Sequence, residues 1–496
     1  MLDNASDALP RTEAFLPVPA RAKLQAALRY LATYLIFPNL IFLVLGHFFY
    51  LMRPLVNIDY LLIGAIAPFV GPWVSAALYA ATLANEFFIN VAPVYRFEIA
   101  DAIAWISQLQ YVNWKVWAPS ISALLAASVI GSAFAIRISS PSKLPKFENR
   151  RWVSIGFLAL TFFVSAADIS NGTSFVPFPV HLSYANFNIA YSGIRRTVMA
   201  AISVPAEDKP ITYQALPTSG SATGPLWSQL RVTPPGAPLP QKQISLTLVE
   251  SMGLFRDPAL RDRLLAPLED PKLLAKYDVR IGTAPFRGFT LNGEFRELCA
   301  IQVTRFGEHA IPSCLPRLLH ERGYETIAFH GFTNLFYNRY QWYPQLGFDR
   351  IFFAQDMQQI GVSQKCGSGF RGLCDTAVAD AIHRTLLAGS AKHPQFVYWM
   401  TLNSHLPMDS VTGSDSPFDC GASPATTPGT GVCRSSRIIY QVLAKLAEIA
   451  LDPKLPPTEF IVAGDHAPPF DSPKTRALYS DSDIPTITLT PKTNEP

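Results

Sequence analysis

Three stretches of the chain stay apolar over the length of a membrane crossing, about 20 residues. They are 27–51, which contains Pro38, 117–136 and 152–169. A fourth, 60–92, is apolar throughout but longer than one span, and Gly71-Pro72 interrupts it. Residues 97–112 are only half apolar and read either as a span packed among others or as an amphipathic helix at the interface. This pattern predicts an N-terminal α-helical transmembrane bundle of four or five helices over residues 1–170. Past residue 240 the pattern changes to short runs rich in β-branched residues, at 244–249, 326–330, 395–401 and 459–463. Helical periodicity intervenes at 312–322, 376–389 and 436–450. Such alternation predicts a C-terminal α/β domain, residues 241–496, with a mainly parallel sheet covered on both faces. Between the two, residues 171–240 read as a juxtamembrane connector. Its aromatic stretch 174–194 suits a membrane surface, and the Pro/Gly/Ser-rich runs that follow continue neither helix nor sheet.

Charge sets the orientation. The loop 137–151 carries Arg137, Lys143, Lys146, Arg150 and Arg151 against a single Glu148. By the positive-inside rule it is cytoplasmic, so everything past about residue 170 is expected outside, whether the spans number four or five. Residues 1–24 have neither the apolar core nor the cleavage site of a signal peptide, so the first span is expected to stay as an anchor. The net charge of +4 is spread along the chain without a basic stripe, which gives no case for a nucleic-acid partner.

All six cysteines lie in the second half and none forms C-x-x-C. An even number, absent from the membrane part, fits disulfides in an oxidising compartment. The simplest expectation pairs neighbours: 299 with 314, 366 with 374, 420 with 433.

Ligands of parallel sheets bind beyond the carboxyl ends of the strands, so polar residues there are the candidates. The first strand ends in Glu250, the second in His330 with Asn338 and Arg339 following. The third ends in Asn403, Ser404 and His405, and the last in Asp465 and His466. Glu, Asp and His converging at one edge have the donors for a divalent metal. Thr290, in the turn GFTLNGEF, offers a hydroxyl that a metal can activate as a nucleophile. Each has an ordinary reading as well. Strand-end acids cap helices, Thr290 suits the N-cap of a helix beginning at Leu291, and His330 suits a satisfied buried imidazole.

Six segments occur in order: LVESMG, GFTLNGEF, LPRLLHERGYETIAFHG, FYNRYQWYPQLGFDRIFF, LNSHLPM and VAGDHAPPF. Together they resemble lipoteichoic acid synthase and its relatives, the bacterial phosphoglycerol and phosphoethanolamine transferases of the alkaline phosphatase/sulfatase superfamily. The resemblance covers residues 243–490. It implies a metal set of Glu250, Thr290, Asp465 and His466 holding one divalent ion (manganese, zinc or magnesium), with Thr290 as nucleophile. It implies substrate contacts from Arg339 and His405, with Tyr337, Asn338 and His330 beside them. Tyr337 stands where family members carry a tryptophan, which leaves the transferred group open. The implied partners are a phospholipid donor, phosphatidylglycerol or phosphatidylethanolamine, and an envelope glycan or lipid acceptor. The implied location is a bacterial inner membrane with the catalytic domain facing the periplasm. Three rivals stand beside this reading. A sulfatase would need C-x-P-x-R, and Cys314-Leu315-Pro316-Arg317-Leu318 lacks the final Arg. A phosphodiesterase would deliver the same group to water, and a scaffold would lack chemistry altogether.

Overall fold

The structure, a computed structural model, describes residues 25–49, 54–91, 114–139, 147–170, 190–202 and 212–492 with short gaps, the longest at 306–310, 409–415 and 421–429. The expectations for residues 1–24, for 97–112 and for most of 174–194 lie outside these residues. The chain divides into two compact units, residues 1–94 with 119–199, and residues 95–118 with 200–496.

The first unit is helical: α1 (Phe37–Phe49), α2 (Ile58–Ile66), α3 (Pro72–Val91), α4 (Trp114–Ser139), α5 (Phe147–Ser170) and α6 (Gly193–Ile202). The break between α2 and α3 falls at Gly71-Pro72, because proline cannot continue the preceding turn. Its centre is aromatic, built on Tyr34, Phe42, Tyr60, Tyr79 and Phe157. A Cβ on Gly131 would meet the Tyr79 ring at 2.3 Å, so only glycine lets α4 pack this closely. Val129, Trp152, Phe162 and Phe163 point outward, while Asn57, Asp59 and Glu86 are buried. Among the described residues two helical stretches are long and apolar enough to cross a membrane, Ala27–Val44 and Ile121–Ile138. That is fewer than the four or five expected. The stretches near 72–91 and 152–169 do form helices, but polar residues in α3 and charged ends in α5 dilute them.

The second unit is built on a seven-stranded sheet: β1 (Gln243–Val249), β2 (Tyr277–Pro285), β3 (Glu325–His330), β4 (Arg350–Phe352), β5 (Gln395–Met400), β6 (Thr458–Gly464) and β7 (Asp483–Pro491). Their order is β2-β7-β6-β1-β5-β3-β4. The run from β6 to β4 is parallel, and β7 is antiparallel to both β6 and β2. Every residue of β1 and β5 is buried, as expected of a parallel strand covered on both faces. The helices used below are α7 (Gly224–Val232), α8 (Thr290–Cys299), α9 (Leu315–His320), α10 (Asp375–Ala388) and α11 (Thr430–Leu451). The four strands expected from the sequence are the four central ones. Missed were β2, β7 and the three-residue β4, and α9 is shorter than 312–322.

The disulfides are Cys299–Cys314, Cys366–Cys374 and Cys420–Cys433, the neighbour pairing. The first ties the last residue of α8 to the N-cap of α9. It therefore braces the end of α8 remote from Thr290 rather than the turn that carries it.

Candidate active site

The register of the parallel strands brings four carboxyl ends into line. Val249 pairs with Gly464, and Met400 pairs with Leu248 and His330. Glu250, Asp465 and Thr401 leave the sheet at this edge. Helix α8 enters it because Gly293 has no side chain, since a Cβ there would lie 2.9 Å from the Cβ of Asp465. That close approach delivers Thr290, the first residue of α8, to the strand ends.

One donor atom each from Glu250, Asp465 and His466 lies within 4.8 Å of the others, and all three residues are buried. Thr290 Oγ1 is 3.2 Å from Glu250 Oε2 and 3.3 Å from His466 Nε2. The helix begins at Thr290 with Phe289 at the N-cap, so Thr290 is not the cap residue expected from the sequence, and its hydroxyl faces this cluster. Nδ1 of His466 lies 2.8 Å from the Ala467 carbonyl and donates to it, which leaves a lone pair on Nε2. That nitrogen stands 3.3 Å from Asp465 Oδ2 and 3.7 Å from Glu250 Oε1. Asp465 Oδ2 is buried and has no hydrogen-bond donor. A ring nitrogen lone pair and a carboxylate oxygen facing one another suit a cation that both can ligate. Burial first, and the neighbouring Glu250 second, push the Asp465 carboxyl up to about 7. A positive charge here would reverse that repulsion. The donor set therefore fits a divalent metal.

Of the supports of this cluster, Ser251 lies in LVESMG and Ser404 in LNSHLPM, whereas Thr401 and Asp375 lie in none of the six segments. Ser251, at φ 54°, sits in the left-handed region, a backbone strain often found at functional sites. There its amide bonds Asp465 Oδ1 at 2.7 Å and its hydroxyl bonds Glu250 Oε1 at 2.8 Å. The His466 amide donates to the same Asp465 Oδ1 at 2.6 Å. Thr401 Oγ1 accepts the Glu250 amide, and the Ser404 hydroxyl bonds the Glu250 carbonyl. Asp375, at the start of α10, accepts the amides of Leu402 and Asn403 and so holds the loop that carries His405.

The residues expected to touch substrate fall in two groups. The His405 ring packs against Phe370, with centroids 4.1 Å apart, and Phe336 lies 6.3 Å away. Phe370 belongs to the loop closed by Cys366–Cys374, so that disulfide shapes one wall. Tyr337 and Asn338 are both left-handed, at φ 59° and 51°, and Asn338 Oδ1 is buried without a donor. Arg339 and His330 are inside. Arg339 is 0% exposed, with Nη2 on Glu294 Oε2 at 2.8 Å, Nε on the same oxygen at 3.1 Å and Nη1 on the Phe336 carbonyl at 3.2 Å. Nη1 also meets His330 Nε2 at 3.2 Å, while His330 Nδ1 lies 3.1 Å from the Met400 carbonyl. Burial and the Arg339 charge hold His330 well below its ordinary value, so it is neutral. In this conformation Arg339 bonds the turn 336–339 through the Phe336 carbonyl, and His330 reaches it only through Arg339. Glu294, which sequence reasoning passed over, also accepts from Tyr343 and Tyr398. Its one legible signal is its spacing, four residues after Thr290 on the same helix face.

Metal binding has a measurable consequence. Manganese, zinc or magnesium at 100 times its dissociation constant is expected to stabilise the fold by about 2.7 kcal/mol, read as a rise in Tm. Asp465→Asn is expected to lose most of that rise. A Tm indifferent to all three ions would remove the metal reading.

A family model described as Sulfatase matches residues 260–496. No curated protein matches the chain. Among solved structures, the lipoteichoic acid synthase LtaP of Listeria monocytogenes is 17% identical, with a TM-score of 0.38, over 52% of this chain and 67% of its own. The Streptococcus pyogenes phosphoglycerol transferase GacH, in complex with sn-glycerol-1-phosphate, is 16% identical at a TM-score of 0.37, over 57% and 77%. The C-terminal periplasmic domain of EptC from Escherichia coli is 13% identical at 0.34, over 53% and 77%. TM-scores this low lend no argument about activity.

Proposed function

We propose, from the premise that residues 260–496 form a domain of the sulfatase family, that this enzyme transfers a phosphoglycerol-type group from a membrane phospholipid to an envelope glycan or lipid through a phospho-threonine. The observation that carries the reading is the position of Thr290 Oγ1, within 3.3 Å of both Glu250 and His466 at the start of a helix. Glu250, Asp465, His466 and Thr290 would hold the metal, which when bound supplies positive charge that favours the alkoxide form of Thr290 and offsets phosphoryl charge. The first turn of α8 leaves backbone N–H groups without intrahelical acceptors, and these suit phosphoryl oxygens. Thr290 Oγ gives up its proton and attacks phosphorus. The bond from phosphorus to the diacylglycerol oxygen breaks, and that oxygen takes a proton. An acceptor hydroxyl then attacks the phospho-threonine, losing its proton as Thr290 regains one. The ring of His405, held by Asp375 through Leu402 and Asn403, borders the headgroup pocket with Phe336, Tyr337 and Phe370. The likeness of the FHG and YNR segments to lipoteichoic acid synthase makes phosphoglycerol the first choice and phosphoethanolamine the second.

Cys314 argues against the sulfatase alternative. It is 0% exposed and bonded to Cys299, so it offers no thiol for conversion to formylglycine. For the anchor we keep the multi-span reading of four or five helices over residues 1–170, supported by the apolar outer faces of α4 and α5. The connector 171–240 and an outward-facing catalytic domain complete that arrangement.

The test uses full-length protein in vesicles, with metal and labelled phosphatidylglycerol or phosphatidylethanolamine. Metal-dependent diacylglycerol release is expected, and the intact mass of the protein identifies the group carried on Thr290. Turnover of an aryl sulfate without release from either lipid would overturn the reading.

A further inference from the structure

A second concavity lies at the other end of α8, about 14 Å from Thr290 at the helical rise of about 1.5 Å per residue. It is a cavity of about 310 Å³ with largely apolar walls, lined by Tyr213, Trp227, Leu230 and Leu318 together with Arg231 and Arg322. Neither arginine meets a carboxylate among the described residues. Arg322 directs Nη1 to the Leu318 carbonyl at 3.1 Å and Nη2 to that of Leu230 at 3.2 Å, while its Nε is buried without an acceptor. The indole N–H of Trp227, a residue 8% exposed, is likewise buried and unmet. Unmet buried donors are uncommon in native folds. Tyr213, in the lining, is 43% exposed, and Val232, next in sequence to Arg231, is 81% exposed.

The chemistry of the wall selects its occupant. A long apolar body fits the hollow, and an anionic head fits two cations without acidic partners. The chain adds the source, for only residues 203–211 separate the end of α6 from the strand Thr212–Ala215 that forms one wall. We propose that this cavity seats an acyl chain of an anionic membrane phospholipid, with the lipid phosphate at Arg231 and Arg322. The inference rests on the domain working at a membrane and is independent of which group Thr290 carries.

The test reconstitutes full-length protein in vesicles of phosphatidylglycerol bearing a photoreactive group on the acyl chain, and maps the labelled peptides by mass spectrometry. Label is expected on the peptides that contain Tyr213–Val232 and Leu318–Arg322. Arg231→Glu and Val232→Glu alter exposed side chains, so the fold is expected to keep its Tm. Each is expected to lower that label about fivefold, the change that a contact of about 1 kcal/mol produces. Phosphatidylcholine carrying the same photoreactive chain is expected to label these peptides less. Equal labelling in wild type and both variants, equal labelling by the two lipids, or label confined to residues 1–202 would overturn the inference. A soluble peptide or glycan competing the label away would assign the cavity to that ligand instead. Diacylglycerol release is measured in the same vesicles. Release without cavity label sinks this inference alone, whereas cavity label without release sinks only the proposed activity.

Discussion

Thr290→Ala is expected to lower diacylglycerol release by at least about a thousandfold, because it removes the atom that attacks phosphorus. Little else changes. Alanine is the best helix former, and the N-cap position belongs to Phe289 rather than Thr290, so α8 should start where it does now. Stability is expected to stay within about 1 kcal/mol of wild type, measured by denaturant unfolding. Thr290→Ser keeps the hydroxyl and loses one methyl, so it should retain far more activity than the alanine variant. The mass adduct should vanish in Thr290→Ala and persist in Thr290→Ser. An adduct on another residue of the alanine variant would sink the nucleophile assignment, as would release near the wild-type rate.

Glu294→Ala should be the most destabilising of the single changes, by about 3–5 kcal/mol, because it leaves Arg339 charged, buried and unpaired. Both side chains of this pair are wholly inside, 2.8 Å apart. Tyr343 and Tyr398 would lose their acceptor as well. Burial first, and then Glu294, hold both phenols well above their ordinary value, so they remain donors. Glu294→Gln keeps the shape and removes the charge, and should cost less. Because Arg339 also holds the carbonyl of Phe336, loss of Glu294 should loosen the left-handed turn at Tyr337 and Asn338 and lower kcat in whatever fraction folds. The unfolding midpoint of the purified protein decides. An Ala variant that unfolds with wild type would show that this network is not what holds the turn.

The two predictions differ in how visible their residues were in the sequence. Glu250, Asp465 and His466 stand at recognisable strand ends that parallel register brings together, and Thr290 stands in a recognisable turn that α8 carries to them. Glu294 pairs with Arg339 across 45 residues and with Tyr398 across 104. Nothing local announces such a partner. Asp375 was hidden in the same way, since it works through backbone amides of a distant segment, and the role of Ser251 shows only in its left-handed backbone. The central strands were legible because continuous apolar runs mark strands covered on both faces. Strand β2 was missed because most of it is exposed, with polar and glycine residues where an apolar run would be. The short disulfide loops made neighbour pairing the right choice, with separations of 15, 8 and 13 residues. Among the described residues only two helical stretches meet the length and polarity of a span, fewer than hydropathy along the sequence suggests. Tyr, Asn and Glu facing inward from α3 dilute its apolar run, and averaging along a sequence cannot tell inward from outward.

The position of β6 in the sheet bears on when the enzyme can become active. This strand pairs with β1, more than two hundred residues earlier, and closes the sheet between β1 and β7. It also delivers Asp465 and His466. A growing chain therefore carries Thr290 and Glu250 before the groups that complete their cluster. On the proposed mechanism, attack by Thr290 has to wait for β6, so a chain that has not yet placed this strand cannot use its nucleophile.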